Sequence, residues 1–186
     1  KRRNIKMNIL IVNGSPKGKY SITLQTGKYL ELLYPEHKFE VIHAGQIIKR
    51  LQRDFTPAKE MLEQADLVIF SYPVYTFIAP SQLHRFTELV KENNVNLENK
   101  FVTQITTSKH FYDMTAHKYI EENCYDLKMK YVKGLSQDKP FILHYYALSN
   151  FKLLQPDAKR ANTARIKSFK LSYFEDGEVR ETAVYK

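Results

Sequence analysis

The chain has 186 residues, 43% hydrophobic and 13% aromatic, enough to fill the core of one domain with room for an appendage and too apolar for a disordered tail. Its formal net charge of +9 draws on 29 basic residues, four of them in the first six positions, and the rest form no basic stripe with interleaved aromatics. That balance favours anionic ligands over nucleic acid. No apolar run reaches the ~20 residues of a membrane helix, and the lone Cys124 excludes an internal disulfide and a cysteine-held metal or iron–sulfur cluster. A reduced, cytoplasmic setting and Met7 as the natural initiator are expected, with no membrane partner, nucleic acid or metal.

In chain order, Ile9–Val12 is a continuous apolar run, the signature of a strand buried on both faces. It runs into Asn13-Gly14-Ser15-Pro16-Lys17, and Ser21-Ile22-Thr23 then opens an amphipathic stretch with Ile22, Thr26, Tyr29, Leu30 and Leu33 on one face. Phe39–His43 is mixed and reads as an edge strand. Thr56-Pro57 predicts a helix start, Thr56 as N-cap and proline first, with Ala58, Met61, Leu62 and Ala65 at helical spacing. Leu67–Phe70 is a second inner strand, followed by a helix over 81–91 with Leu83, Phe86 and Val90 inward. Phe101–Thr107 is a third inner strand, Asp113 caps a helix with Ala116, Tyr119 and Ile120, and Leu127, Met129 and Tyr131 alternate with lysines as a second edge strand. A last helix is expected from Asp138-Lys139-Pro140 to Phe151.

Alternating strands and helices predict an α/β, doubly wound, five-stranded parallel sheet of order 2-1-3-4-5. Gln155-Pro156-Asp157 breaks the pattern, so residues 1–154 are expected as the domain and 155–186 as a linker with a C-terminal β-hairpin turning at Asp176-Gly177. Since an isolated hairpin is marginal in water, it should pack on the sandwich, extend a sheet edge or reach a partner subunit.

Ligands of open parallel sheets bind beyond the carboxyl ends of the strands where the strand order reverses, between the first and third strands. Three loops meet there: 13–23, Ser71–Phe77 and Thr106–Tyr112. The first offers the Ser15, Ser21 and Thr23 hydroxyls and the free amides of a helix N-terminus, a phosphate-binding set. A tight strand-to-helix connection would explain Gly-Ser-Pro alone; Ser21 and Thr23 favour the phosphate. Tyr72, Tyr75 and Phe77 read either as loop aromatics packed on the next helix or as a wall for a flat ring, and Pro73 at the switch point favours the wall. His110 and His117 lack metal-ligand spacing, Lys109 is a solvated cation able to steer a nicotinamide phosphate, and Cys124 reads as inert packing.

Gly14-Ser15-Pro16-Lys17 with Ser21-x-Thr23, followed by Pro73-Val74-Tyr75 after the third strand, resembles the NAD(P)H-dependent FMN reductases and quinone reductases of the flavodoxin-like superfamily over roughly residues 7–135. The resemblance implies that Ser15, Lys17, Ser21, Ile22 and Thr23 surround the FMN phosphate. It implies that Pro73, Val74, Tyr75 and Thr76 line the isoalloxazine, with Thr107 and Ser108 flanking it from the far side. Relatives often have glycines in that third loop, where this chain has Thr107-Ser108-Lys109-His110. The implied activity is transfer of electrons from NADH or NADPH through FMN to a small-molecule acceptor such as a quinone or free flavin, in a homodimer, with no catalytic side chain singled out. A flavodoxin-type electron carrier and a flavin-free binding or regulatory module on the same fold are the alternatives, the first disfavoured because such carriers tend to be acidic.

Overall fold

The computed structural model describes residues 6–108, 113–136, 170–175 and 178–184. It divides into two units, Lys1–Asp138 and Lys139–Lys186. The first alternates strands with helices: β1 (Asn8–Asn13), a 3-10 turn (Gly18–Tyr20), α1 (Ile22–Leu33), β2 (Lys38–Ile42), α2 (Ala44–Leu51), α3 (Thr56–Gln64), β3 (Leu67–Pro73), α4 (Ser81–Glu92), β4 (Phe101–Thr107), α5 (Met114–Asp126), β5 (Lys130–Tyr131) and β6 (Leu135–Ser136). The sheet order is β2-β1-β3-β4-β5, with β6 also on β4, and every pairing is parallel. The flavodoxin-like order is therefore the predicted one, with its reversal between β1 and β3. No helix among the described residues is long and apolar enough to cross a membrane.

The pleat of β1 sorts its side chains between two cores. Leu10 and Val12 join Val68, Phe70, Leu62, Leu83, Phe86 and Ile120 on the face covered by α2 to α5, while Ile9 and Ile11 meet Leu24, Ile69 and Ile105 on the face of α1. The inward residues expected of α4, Leu83, Phe86 and Val90, are all buried. The helix α1 departs from its expected stripe. Its first half is buried from Thr23 to Gly27, with Leu24 fully enclosed, whereas Leu33 is 50% exposed. Close packing accounts for the buried half: a Cβ on Gly27 would lie 2.9 Å from Ile11 Cδ1.

Three further details differ from the sequence reading. The helix α3 starts at Thr56 itself, with Phe55 as N-cap; just ahead of it the Asp54 carboxylate accepts the Thr56 amide at 3.0 Å, and that bond holds the Asp54 carboxyl below its ordinary value. The alternating segment 127–133 begins as a helix end and holds the expected edge strand only in part. Leu127 caps α5, Lys128 turns with φ 55, and the edge strand is reduced to the short β5 and β6. The helix α2 does not figure in the sequence reading: it is only eight residues long, has no side-chain cap, and is kinked at Ile47, so its boundary does not stand out. The last helix and the 154/155 boundary lie outside the described residues. The second unit contributes the predicted hairpin, β7 (Lys170–Glu175) antiparallel to β8 (Glu178–Val184), with a register shift between Leu171 and Ser172.

A polar seam runs through the larger core. Tyr72, fully buried, donates to Gln104 Oε1 at 2.5 Å and approaches the Ala116 carbonyl at 3.2 Å; the Gln104 amide donates to the His117 carbonyl and to the Tyr131 hydroxyl. Burial pushes the Tyr72 phenol far above its ordinary value, so it remains a donor at every accessible pH. This seam joins β3, β4, β5 and α5 at fixed register. Tyr72→Phe leaves the Gln104 oxygen buried and unpaired, which costs about 1–3 kcal/mol. Urea unfolding should show that loss as a lower midpoint at unchanged slope.

Candidate functional site

The carboxyl ends of β1, β2, β3 and β4 carry the site. Parallel pairing places Val12 beside Ile42, Asn13 beside Ser71, and Pro73 beside Thr107. The residues that follow each strand are thereby brought to one edge of the sheet.

The loop after β1 is shaped by the side chain of Asn13, which is fully buried. Its Oδ1 accepts the Ser15 amide at 3.1 Å, and its Nδ2 donates to the Gly18 carbonyl at 2.9 Å and to His43 Nδ1 at 3.1 Å. The Ser15 hydroxyl accepts the Lys17 amide at 3.3 Å, and the Gly14 amide donates to the Ser71 carbonyl at 2.9 Å. Gly18 has φ +54, the left-handed conformation that glycine adopts without strain. The start of α2 closes over this loop: a Cβ on Gly45 would run into the backbone of Gly14 and Ser15, and one on Gly14 would lie 2.9 Å from Leu83.

Ser21 caps α1 by accepting the Leu24 amide at 3.4 Å. The amides of Ile22 and Thr23 have no hydrogen-bond partner among the described residues. They are the first two N–H groups of a twelve-residue helix whose dipole places partial positive charge at the same point. Lys17 and Lys19 are exposed on the loop leading to them.

The second and third loops are tied to the first. The Val74 amide donates to the Thr107 carbonyl at 2.9 Å, and the Thr107 hydroxyl pairs with that of Thr23 at 2.6 Å. Beyond Val74 the chain makes a tight turn. Tyr75 and Ile78 exchange backbone bonds at 3.0 and 3.2 Å around Thr76 (φ 47) and Phe77 (φ 73). Positive φ at both central residues is the geometry that Asn-Gly ordinarily supplies; here a β-branched residue and an aromatic adopt it, which costs about 1–2 kcal/mol each. The turn holds Tyr75, Phe77 and Ile78 45%, 49% and 48% exposed.

The predicted site residues therefore fall in two groups. Ser15, Ser21 and Thr23 are buried, and each hydroxyl already makes an internal bond. Pro73, Val74, Thr107 and Ser108 are half-buried, while Lys17, Tyr75 and Thr76 are exposed; Lys109 and His110 lie outside the described residues. Sequence reasoning did not single out Asn13 as a side chain, nor His43 and Gly45. The signal available for Gly45 was its position just beyond an edge strand. Cys124 is buried and its thiol is pushed up to about 12 by burial, with Glu121 adding to it, in keeping with inert packing. No group of three metal-ligating side chains occurs among the described residues.

Comparison with known proteins bears on the fold and the family. The family described as NADPH-dependent FMN reductase matches residues 7–136. No curated protein sequence matches the chain. Among solved structures, the flavoenzyme NAD(P)H:(acceptor) oxidoreductase FerB of Paracoccus denitrificans is 18% identical with a TM-score of 0.57, covering 68% of this chain and 75% of that one. The NADH:FMN oxidoreductase EMOB, in its apo form, is 17% identical with a TM-score of 0.58 over 82% of this chain and 93% of that one. An FMN-dependent NADH-azoreductase of Bacillus anthracis, in complex with FMN, is 15% identical with a TM-score of 0.54, over 83% and 99%. At such identities the structural likeness speaks for the fold, and the family match speaks for the chemistry. The chain belongs to the NADPH-dependent FMN reductase family and is a flavin-dependent oxidoreductase that uses FMN with NAD(P)H as electron donor.

Proposed function

We propose that the loop from Asn13 to Thr23 receives the FMN phosphate, that the turn after β3 and the end of β4 border its ring, and that the electrons pass to a small flat acceptor such as a quinone or a free flavin. The observation that carries this reading is the pair of unpartnered amides, Ile22 and Thr23, at the start of α1 on the switch-point edge of the sheet. The residues present fit such a group. The Ile22 and Thr23 amides head the helix with no partner among the described residues, and Lys17 adds a cation at the rim.

In this reading Ser15 and Ser21 do two tasks. Each hydroxyl oxygen accepts a backbone amide and keeps its proton free to donate outward to a phosphate oxygen. Ile22 and Thr23 donate through their amides, and the Thr23 hydroxyl, paired with Thr107, locks the phosphate end to the ring end. Pro73, Val74, Tyr75 and Thr76 border one side of the ring and Thr107 and Ser108 the other. When bound, FMN supplies the hydride-accepting and electron-donating chemistry, and the protein supplies position and electrostatics. No side chain is required as a general acid or base. The exposed aromatic edge of Tyr75 and Phe77 supports an acceptor that is flat and apolar, and the contiguous exposure of Tyr75, Phe77 and Ile78 supports a homodimer.

The test is steady-state oxidation of NADPH and NADH by the FMN-loaded chain with a quinone and with free FMN as acceptors. Saturable turnover with either acceptor is expected; a flavin-loaded protein that oxidises neither nucleotide contradicts the reading. The strained turn gives a second expectation. The double substitution Thr76→Asn, Phe77→Gly relieves left-handed strain and should stabilise the fold by about 1–2 kcal/mol. Because it also removes the aromatic edge, kcat/KM for a quinone should fall while NAD(P)H-dependent flavin reduction persists. Thermal unfolding and acceptor kinetics on the same sample check both halves.

A further inference from the structure

The orientation of the Asn13 carboxamide is fixed by groups that admit only one assignment. The Ser15 amide can only donate, so the atom facing it at 3.1 Å is Oδ1. The Gly18 carbonyl can only accept, so the atom facing it at 2.9 Å is Nδ2. The same Nδ2 faces His43 Nδ1 at 3.1 Å, and a donor there requires Nδ1 to be an unprotonated acceptor. His43 must therefore be neutral, with its proton on Nε2. Register explains why the two meet: Val12 pairs with Ile42, so the next residues, Asn13 and His43, lie side by side at the ends of β1 and β2.

We propose that His43 is a positioning residue for the cofactor: its neutral ring holds the Asn13 amide that shapes the phosphate loop, and proton uptake by the ring replaces an acceptor with a second donor and unseats the loop. The proposal rests on the assignment of this loop to the FMN phosphate. It also explains the backbone after His43, where the Gln46 amide donates to the His43 carbonyl at 2.9 Å, and Gly45 lies against Gly14 and Ser15. Ring, loop and the start of α2 form one packed unit.

Among the charged groups on the surrounding elements, Lys28 opposes protonation of the ring. The helix α1 carries Lys28, which acts on the ring, and Glu31; the approach to it carries Lys17 and Lys19; α2 carries Lys49 and Arg50 in its last turn. On β2 itself, Lys38 and Glu40 are paired with each other at 3.1 Å. Burial first and Lys28 second lower the His43 pKa from its ordinary 6.5. A depressed value in the folded state means that the contribution of His43 to stability is fully present above pH 6.5 and is lost as pH falls through the folded-state value.

The test compares FMN binding to the flavin-stripped full chain, by fluorescence quenching, in the wild type, in His43→Asn and in His43→Leu. Asparagine places its Oδ1 where the imidazole has Nδ1, keeping an acceptor that does not titrate; leucine removes the acceptor. Between about pH 7.5 and about 5.5 the wild-type Kd should rise about two- to fivefold more than that of His43→Asn, short of the about tenfold that an imidazole of ordinary pKa would give over that range. His43→Leu should bind weakly at both ends of the range. The second ionisation of FMN phosphate, near pH ~6, affects all three alike and drops out of the comparison. Parallel curves for the wild type and His43→Asn overturn the proposal. Should neither variant fold, 15N NMR of the unmutated chain decides: the Nε2–H tautomer at neutral pH, with the Asn13 side-chain amide shifting as His43 titrates, upholds it, and Nδ1–H overturns it. Should no variant bind FMN at any pH, the assignment of the loop fails; the thermal midpoint of the flavin-free chains then still judges the His43–Asn13 link, which requires a steeper acid loss in the wild type than in His43→Asn.

Discussion

The carboxamide of Asn13 is the contact on which the site depends. It is buried at the end of the inner strand β1, and its two polar atoms make three bonds: one to the loop ahead, one to the far side of that loop, and one across to the neighbouring strand end. A buried amide with its donors and acceptor satisfied contributes about a kilocalorie per bond, and the same amide left unpaired costs more than that. The loop therefore takes one shape. In that shape Gly18 turns with positive φ, Ser21 reaches its capping position, and the Ile22 and Thr23 amides remain free to bind. The geometry proposed to receive the phosphate is held by bonds within the chain itself.

From that loop the constraint extends across the sheet edge. Thr23 and Thr107 join the first loop to the third, and the Thr107 carbonyl holds Val74 of the second. Below them the Tyr72–Gln104 seam fixes how β3 and β4 stand relative to α5, so the loop ends keep their separation. The turn at Thr76 and Phe77 is, among the described residues of the site, the place where the backbone is held against its preference. Strain of this kind survives where the surrounding structure over-determines the conformation, and here it keeps aromatic side chains in solvent at the mouth of the site.

Much of this was legible in the sequence. Continuous apolar runs at Ile9–Val12 and Leu67–Phe70, and a nearly continuous one at Phe101–Thr107, mark strands buried on both faces, and the mixed composition of Phe39–His43 marks an edge. Together they give the strand order, and the order locates the site. What escaped is what depends on tertiary contact. The helix α2 is short, uncapped and kinked at Ile47, so its boundary does not show, and its Gly45 is explained by the loop it covers. Leu127 and Met129 keep strand-like alternation, yet the chain there is still completing the turn out of α5. The hydroxyls of Ser15, Ser21 and Thr23 read in sequence as free donors to a phosphate; folded, each is also a structural acceptor or partner, a double role that spacing alone does not reveal. His43 carried no motif at all, and its link to Asn13 arises from parallel register.

The account stands on two backbone N–H groups. Amide spectra of the flavin-free chain, followed through titration with FMN and then with riboflavin, which lacks the phosphate, test it most directly. The predicted result is a large downfield shift of the Ile22 and Thr23 amides with FMN and none with riboflavin, as expected for N–H groups that begin to donate to a phosphate. Unmoved Ile22 and Thr23 amides in a chain that has bound FMN would contradict it.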